Sequence, residues 1–250
     1  MPADTAEPLA AASTEVAAPD FVNESNDRNQ ADITAFAQAG DEQDGHAVKL
    51  NFINQSNDLN SSDIVIFGRN ASTSFDELAV AWRVIKNCGQ GWNHPFTYPM
   101  SNMVSASDSY GNYSPQMSAA NGQAFALSLT ASGDTLQAAG PATSVTEIEV
   151  RNNLAMGAIN ANIYKAGKLF ASKTSIAPGQ KAVFSFRPTI WIGVVSQVVE
   201  GEVMNAAILS QVNTEISLLG LASADIVMTG GGPGRTSTPF AFSLENVTYA

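Results

Sequence analysis

The sequence predicts an all-β fold: an antiparallel β-sandwich of jelly-roll type, carried as one domain over residues 48–250 behind an extended acidic N-terminal arm. Three observations lead there. Charged residues are only 14% of the 250-residue chain, and its 19 Gly and 11 Pro punctuate it at short spacing. Short apolar stretches alternate with period two, and helical periodicity is scarce. Strand–helix–strand alternation, the mark of a parallel sheet, is missing.

Residues 1–19 are rich in Ala, Pro, Thr and Glu without periodicity, which predicts a disordered tail. Residues 20–47 form the rest of the arm, and they hold half of an internal repeat. Residues 21–36 read FVNESNDRNQADITAF and residues 52–67 read FINQSNDLNSSDIVIF, with nine of sixteen positions identical. Two copies are too few for a solenoid, which needs about three to bury a continuous core. The second copy ends in the apolar strand Ile64-Val65-Ile66-Phe67. The first ends Ile33-Thr34-Ala35-Phe36, the same strand with a small or polar middle. Residues 38–47, QAGDEQDGHA, are an acidic linker.

In the body, residues 48–54 and 64–69 read as strands flanking a polar loop, and hence as a hairpin. Residues 75–88 are ambiguous. Ser74 and Glu77 make a capping box, and Leu78, Trp82, Ile85 and Cys88 share a helical face; yet Val80, Trp82 and Val84 alternate as in a strand. Strands are expected at 124–129 and 146–151. Residues 162–165 and 168–172 flank Ala166-Gly167 as a tight hairpin. Pro178-Gly179 turns the chain into a strand at 182–186. Further strands are expected at 190–199, 206–210, 215–221, 226–229 and 238–247. Phe52, Ile64, Ile66, Trp82, Trp191 and Phe242 are the expected core.

Several phrases resemble the rhizosphere-induced protein (RhiA-like) group of bacterial proteins. They are Phe52-Ile53-Asn54-Gln55-Ser56 followed by the apolar strand at 64–67, then Leu78-Ala79-Val80-Ala81-Trp82. The third is Pro188-Thr189-Ile190-Trp191-Ile192 followed by Glu200-Gly201-Glu202-Val203. The resemblance spans roughly residues 50–230 and excludes the acidic arm. It implies an all-β protein, favours strand over helix at 78–86, and brings no catalytic residues.

Charge excludes one class of partner. The net charge is −11, of which residues 1–48 hold −9 (ten Asp/Glu against one Arg). The body is nearly neutral and has no basic run, so nucleic acid is not an expected partner. No apolar stretch of about 18 residues suggests membrane insertion. The start MPADTAEPLAAASTEV lacks a basic segment and carries acids, unlike a signal peptide. A cytoplasmic protein, or one exported without a cleaved signal, is expected.

Candidate sites are few. Asp58, Asn60 and Asp63 place oxygens at near-alternate positions, as calcium loops do, but the Gly and Glu that an EF-hand needs are replaced by Asp63 and Arg69. The simpler reading is a loop satisfied by its own Asx-turns. The Gly-rich run 229–236 lacks the Lys and the following helix of a phosphate loop. His94 is the one body histidine and has no evident acid partner, so no catalytic residue and no cofactor are expected. The lone Cys88 rules out an internal disulfide. Trp92, Phe96, Tyr98, Tyr110 and Tyr113 cluster among Asn, Ser and Gly; of these Trp92, Phe96, Tyr110 and Tyr113 are the candidate glycan contacts.

The expected function is structural and non-enzymatic. The arm donates a strand to a neighbour's sheet edge, building a filament or an ordered homo-oligomer, with Phe21, Ile33 and Phe36 as its contact residues. Pairing of the two copies within one chain is the intramolecular variant. The alternative from a different class is a carbohydrate-binding module that uses the aromatic loops at 92–113, with a polysaccharide as partner.

Overall fold

The computed structural model describes residues 46–58, 62–72, 79–212 and 214–250. The repeat's first copy and the capping-box residues Ser74 and Glu77 lie outside them, as do Leu78 and Asn60. The first strands are β1 (Ala47–Asn54), β2 (Asp63–Phe67), β3 (Arg83–Ile85), β4 (Asn93–Pro99), β5 (Asn102–Ser107) and β6 (Met117–Ala119). Then come β7 (Gln123–Thr130), β8 (Gly133–Pro141), β9 (Ile148–Asn152), β10 (Ile159–Lys165), β11 (Lys168–Ile176) and β12 (Lys181–Phe184). β13 (Thr189–Val195), the short helix α1 (Ala206–Gln211), β14 (Thr214–Ser217), β15 (Leu221–Gly231) and β16 (Thr238–Tyr249) complete the chain.

The strands form four sheets of four, in the orders β16-β15-β1-β4, β14-β13-β2-β3, β11-β10-β5-β6 and β12-β9-β7-β8. The fold is therefore all-β and sandwich-like, as expected. Its pairing is mixed where a purely antiparallel fold was expected: β1 runs parallel to β15, and β7 parallel to β9. Alternation sets the buried faces. Along β1, Val48, Leu50, Phe52 and Asn54 point inward while Lys49 points out. Ile64 and Ile66 of β2 and Ile190 and Ile192 of β13 face the same core from another sheet. The opposite face of β2 is also covered. Val65 and Phe67 pack in a second cluster with Val195, Val198 and Val212, flanked by Ile208 and Leu209 of α1.

Four expectations are corrected. Residues 48–54 and 64–69 are not a hairpin, because β1 and β2 belong to different sheets. Both edges of β1 are taken by β15 and β4, and both edges of β2 by β13 and β3, which leaves neither strand free to pair with the other. Residues 206–210 are helical instead of extended. Asn205 caps the turn by accepting a hydrogen bond from Ile208 N–H at 2.9 Å, ahead of two helix-favouring alanines. Trp191 is half-buried instead of core, with the Arg69 guanidinium 3.8 Å above its ring. Phe242 is also half-buried, on the outermost strand. The described part of 75–88 is extended: Val80 bridges Val203, and β3 pairs with β2. Phe52, Ile64, Ile66 and Trp82 are core.

One aromatic cluster touches all four sheets. Trp82, just before β3, meets Tyr98 of β4 at 5.3 Å and Phe170 of β11 at 6.0 Å, edge to face in both cases. Phe170 meets Phe186, just past β12, at 5.0 Å. The Trp82 indole N–H donates to the Lys165 carbonyl at 3.1 Å, so the buried ring keeps its polar atom satisfied. A methyl group built on Gly68 would intrude into the Phe170 ring, which is fixed by aromatic neighbours on several sides. Gly68→Ala is therefore expected to destabilise the protein by about 1–3 kcal/mol or more. Adding Phe170→Leu makes room for the methyl, so the double variant should lose less than the sum of the single losses in urea titration. Simple additivity would contradict this packing.

Candidate functional site

Phe21, Ile33 and Phe36 lie outside the described residues. Of the aromatic group, Trp92, Tyr110 and Tyr113 are exposed, but Phe96 is only 6% exposed and packs edge-on against Trp82. Phe96 is thus a core residue, unavailable to a glycan, and Tyr98 is buried beside it. Trp92 precedes β4, whereas Tyr110 and Tyr113 follow β5 in another sheet. β4 and β5 are joined by a corner at residues 99–102 and belong to different sheets.

The loop after β1 is organised by its own side chains. Asn54 is fully buried. Its amide donates to the Cys88 carbonyl at 2.6 Å, and its Oδ1 accepts from Ser56 N–H at 2.9 Å and from Ser56 Oγ at 2.6 Å. Asn57 N–H donates to the Gly230 carbonyl at 2.8 Å, tying the corner to β15. Asp58 accepts from Ser62 N–H at 2.6 Å, and Asp63 lies 3.9 Å from Lys86. Asp58 and Asp63 thus serve a turn and an ion pair. No metal-binding cluster of His, Cys, Asp and Glu occurs among the described residues. His94 sits on β4 opposite Phe52, and its Nε2 is buried without a partner. Cys88 is buried, which pushes its thiol pKa up and leaves it the less reactive, protonated form. The Gly-rich stretch ends β15 and leads through a single 3-10 turn (Gly234–Thr236) into β16, so no helix follows it.

Sequence reasoning missed the most unusual charged group. Lys165 ends β10 and is only 3% exposed. Its Nζ donates to the carbonyls of Pro99, Met100 and Ser101 at 2.9, 3.1 and 3.3 Å, closing the corner between β4 and β5. It also lies 4.8 Å from the Tyr98 ring centre and 5.3 Å from that of Phe170. No carboxylate pairs with it among the described residues. Burial pushes its pKa down to about 7, against the three carbonyls and two ring faces that favour the ammonium. The one sequence signal was its register. Lys165 lies directly opposite Lys168 across the hairpin, where two exposed lysines would repel each other.

Beside this corner is a cavity of about 500 Å³. Lys165, Asn102 and Arg187 contribute its polar groups, with His46 and Asn121; Met100, Phe186 and Leu218 belong to its apolar wall. Asn102 is 6% exposed, and its side-chain oxygen has no partner. A second buried charge, Glu149, is structural. Burial works against its ionisation, but Lys181 at 2.7 Å, Thr143 N–H at 2.8 Å and Arg151 at 2.8 Å outweigh burial and hold its pKa at about 2. Its contribution is present above the ordinary carboxylate pKa and is lost as pH falls toward 2.

Compared with protein-family models, curated proteins and solved structures, the chain matches none. No helix among the described residues is long and apolar enough to cross a membrane.

Lys165 makes a pH-dependent contribution whose sign follows from its lowered pKa. Between pH 7 and 10 the unfolded chain holds this proton and the folded chain releases it, so stability rises with pH. Tyr98, whose phenol pKa is raised by burial, acts in the opposite direction only above about pH 10. Denaturant titrations are expected to show a gain of up to about 4 kcal/mol across this window that Lys165→Met lacks. Parallel pH profiles for the two proteins would contradict the assignment.

Proposed function

We propose that this protein is a non-enzymatic structural β-sandwich that assembles with copies of itself, its N-terminal arm adding a strand to a neighbouring molecule. The observation that carries this reading is where the repeat's identical residues fall in the second copy. Phe52, Ile64 and Phe67 are fully buried, Asn54 and Ser56 build the buried corner, and Asn57 and Asp58 hold the turn. The first copy thus keeps the side chains that make a strand–corner–strand path. It changes Val65 and Ile66, both fully buried, to Thr34 and Ala35.

That change argues against simple exchange of the two copies. Ala in place of a buried Ile costs about 2–5 kcal/mol, so the first copy is a poor replacement for β2. Addition at a sheet edge asks less of those two positions. Ile64 and Phe67 lie in different clusters on opposite faces of β2, so their counterparts Ile33 and Phe36 would not share one contact face as the sequence suggested.

The acceptor we infer is β16. It is 12 residues long, lies at the end of its sheet, and has no partner on its outer side among the described residues. Pro239 lacks an N–H, and Asn246 has a φ of 49°; these interruptions leave residues 240–245 as a regular edge. Residues 32–36 match that length. Main-chain pairing supplies the attraction, and head-to-tail donation that does not close gives a filament.

Ile33→Ser combined with Phe36→Asp is expected to raise the critical concentration for assembly at least about tenfold, since the one of the two that faces the neighbour's body contributes about 1.5–3 kcal/mol. Thr34→Val should leave it unchanged or lower it. Thr34→Cys on one tagged chain and Ser243→Cys on another should yield a mixed disulfide on oxidation. An unchanged critical concentration in the Ile33/Phe36 variant would contradict the role of the arm. Assembly without the mixed disulfide would contradict β16 as acceptor.

A further inference from the structure

The cavity beside the β4–β5 corner combines features that assembly does not require. Its charged lining residues among those described are cationic: Lys165 and Arg187, with His46 alongside, and no Asp or Glu among the described residues borders it. This is unusual in a chain of net charge −11. The Arg187 side chain makes no hydrogen bond or ion pair with any described residue, so its planar fork of donors is unspent. Lys165 differs, because its three protons are committed to carbonyls. It therefore contributes field and not a new hydrogen bond. Asn102 brings a buried side-chain oxygen that has no partner among the described residues.

The rest of the wall is apolar. Met100, Phe186, Pro188 and Leu218 border the same space. A volume of about 500 Å³ falls within the range of small-molecule sites, about 300–1,000 Å³. An inorganic anion would leave this apolar wall bare. A neutral hydrocarbon would leave the cationic side unanswered.

We infer that the cavity is a binding site for a small organic carboxylate with an apolar body. The carboxylate meets the Arg187 guanidinium in the field of Lys165, and the hydrocarbon part lies against Phe186, Pro188 and Leu218. A guanidinium and a carboxylate match as two parallel hydrogen bonds, which favours a carboxylate over a spherical anion. None of its lining residues belongs to β16, although Gly220 accepts from Ala250 N–H at 3.0 Å just past that strand's end.

The test is titration of the full chain with benzoate and cyclohexanecarboxylate, and with benzyl alcohol as the neutral analogue, followed by calorimetry and by NMR shifts of the Leu218 and Met100 methyl groups. Saturable binding of the acids is expected, with benzyl alcohol at least about tenfold weaker, as expected for loss of a charged hydrogen bond. Arg187→Gln, at an exposed position, should keep the fold and weaken both acids by about tenfold or more. Absence of saturable binding, equal binding of benzyl alcohol, or unchanged affinity in Arg187→Gln would each overturn the inference. Shifts confined to residues outside the cavity would overturn it as well.

Discussion

One aromatic contact set centred on Phe170 joins all four small sheets at a point within their shared core. Each sheet has only four strands, and each presents part of its apolar face to a shared core. Trp82, Tyr98, Phe170 and Phe186 come from, or directly adjoin, four different sheets and meet within 5.0–6.1 Å. Edge-to-face rings add about 0.5–1.5 kcal/mol per pair beyond the area they bury, and the rings around Phe170 leave no room for added volume at Gly68. Gly68 is the consequence on β2's continuation: it is the residue type whose missing side chain leaves the Phe170 ring its place.

Lys165 joins that junction to the corner between β4 and β5. Its carbonyl accepts from Trp82, and its ammonium gathers three successive carbonyls where β4 turns out of one sheet and β5 enters another. A corner with three inward carbonyls requires donors, and a buried ammonium supplies them at the cost of desolvation. The same positive charge, lacking a carboxylate partner among the described residues, sets the character of the adjoining cavity. Packing, corner geometry and the proposed anion site thus meet at one residue, the first through its backbone carbonyl and the other two through its ammonium. The proposed assembly surface lies on the outermost strand, β16, none of whose residues lines the cavity.

Much of the fold was legible because local pattern and tertiary role agree. The β10–β11 hairpin follows from Ala166-Gly167, which take φ of 50° and 72°, as a two-residue primed turn demands. β4 was not legible, because Pro95 and Pro99 read as loop punctuation; they are tolerated because β4 is an edge strand. The β1–β2 hairpin expectation failed because sequence proximity does not say whether two strands lie in one sheet or face each other across a core. Of the sites, the repeat was visible at once, whereas the cavity was not. Lys165, Asn102 and Arg187 are separated along the chain by 22 residues or more, and nothing local marks a lysine as buried or an asparagine as unpaired.

Assembly through the arm is the central claim, and sedimentation velocity reaches it most directly. The intact chain and a chain lacking residues 1–37 would be compared across a wide concentration range, with circular dichroism to establish that both are folded. The intact chain should form species larger than a monomer, growing with concentration, while the shortened chain keeps its β-spectrum and remains a monomer. Identical size distributions for the two, whether both monomeric or both assembled, would contradict the account.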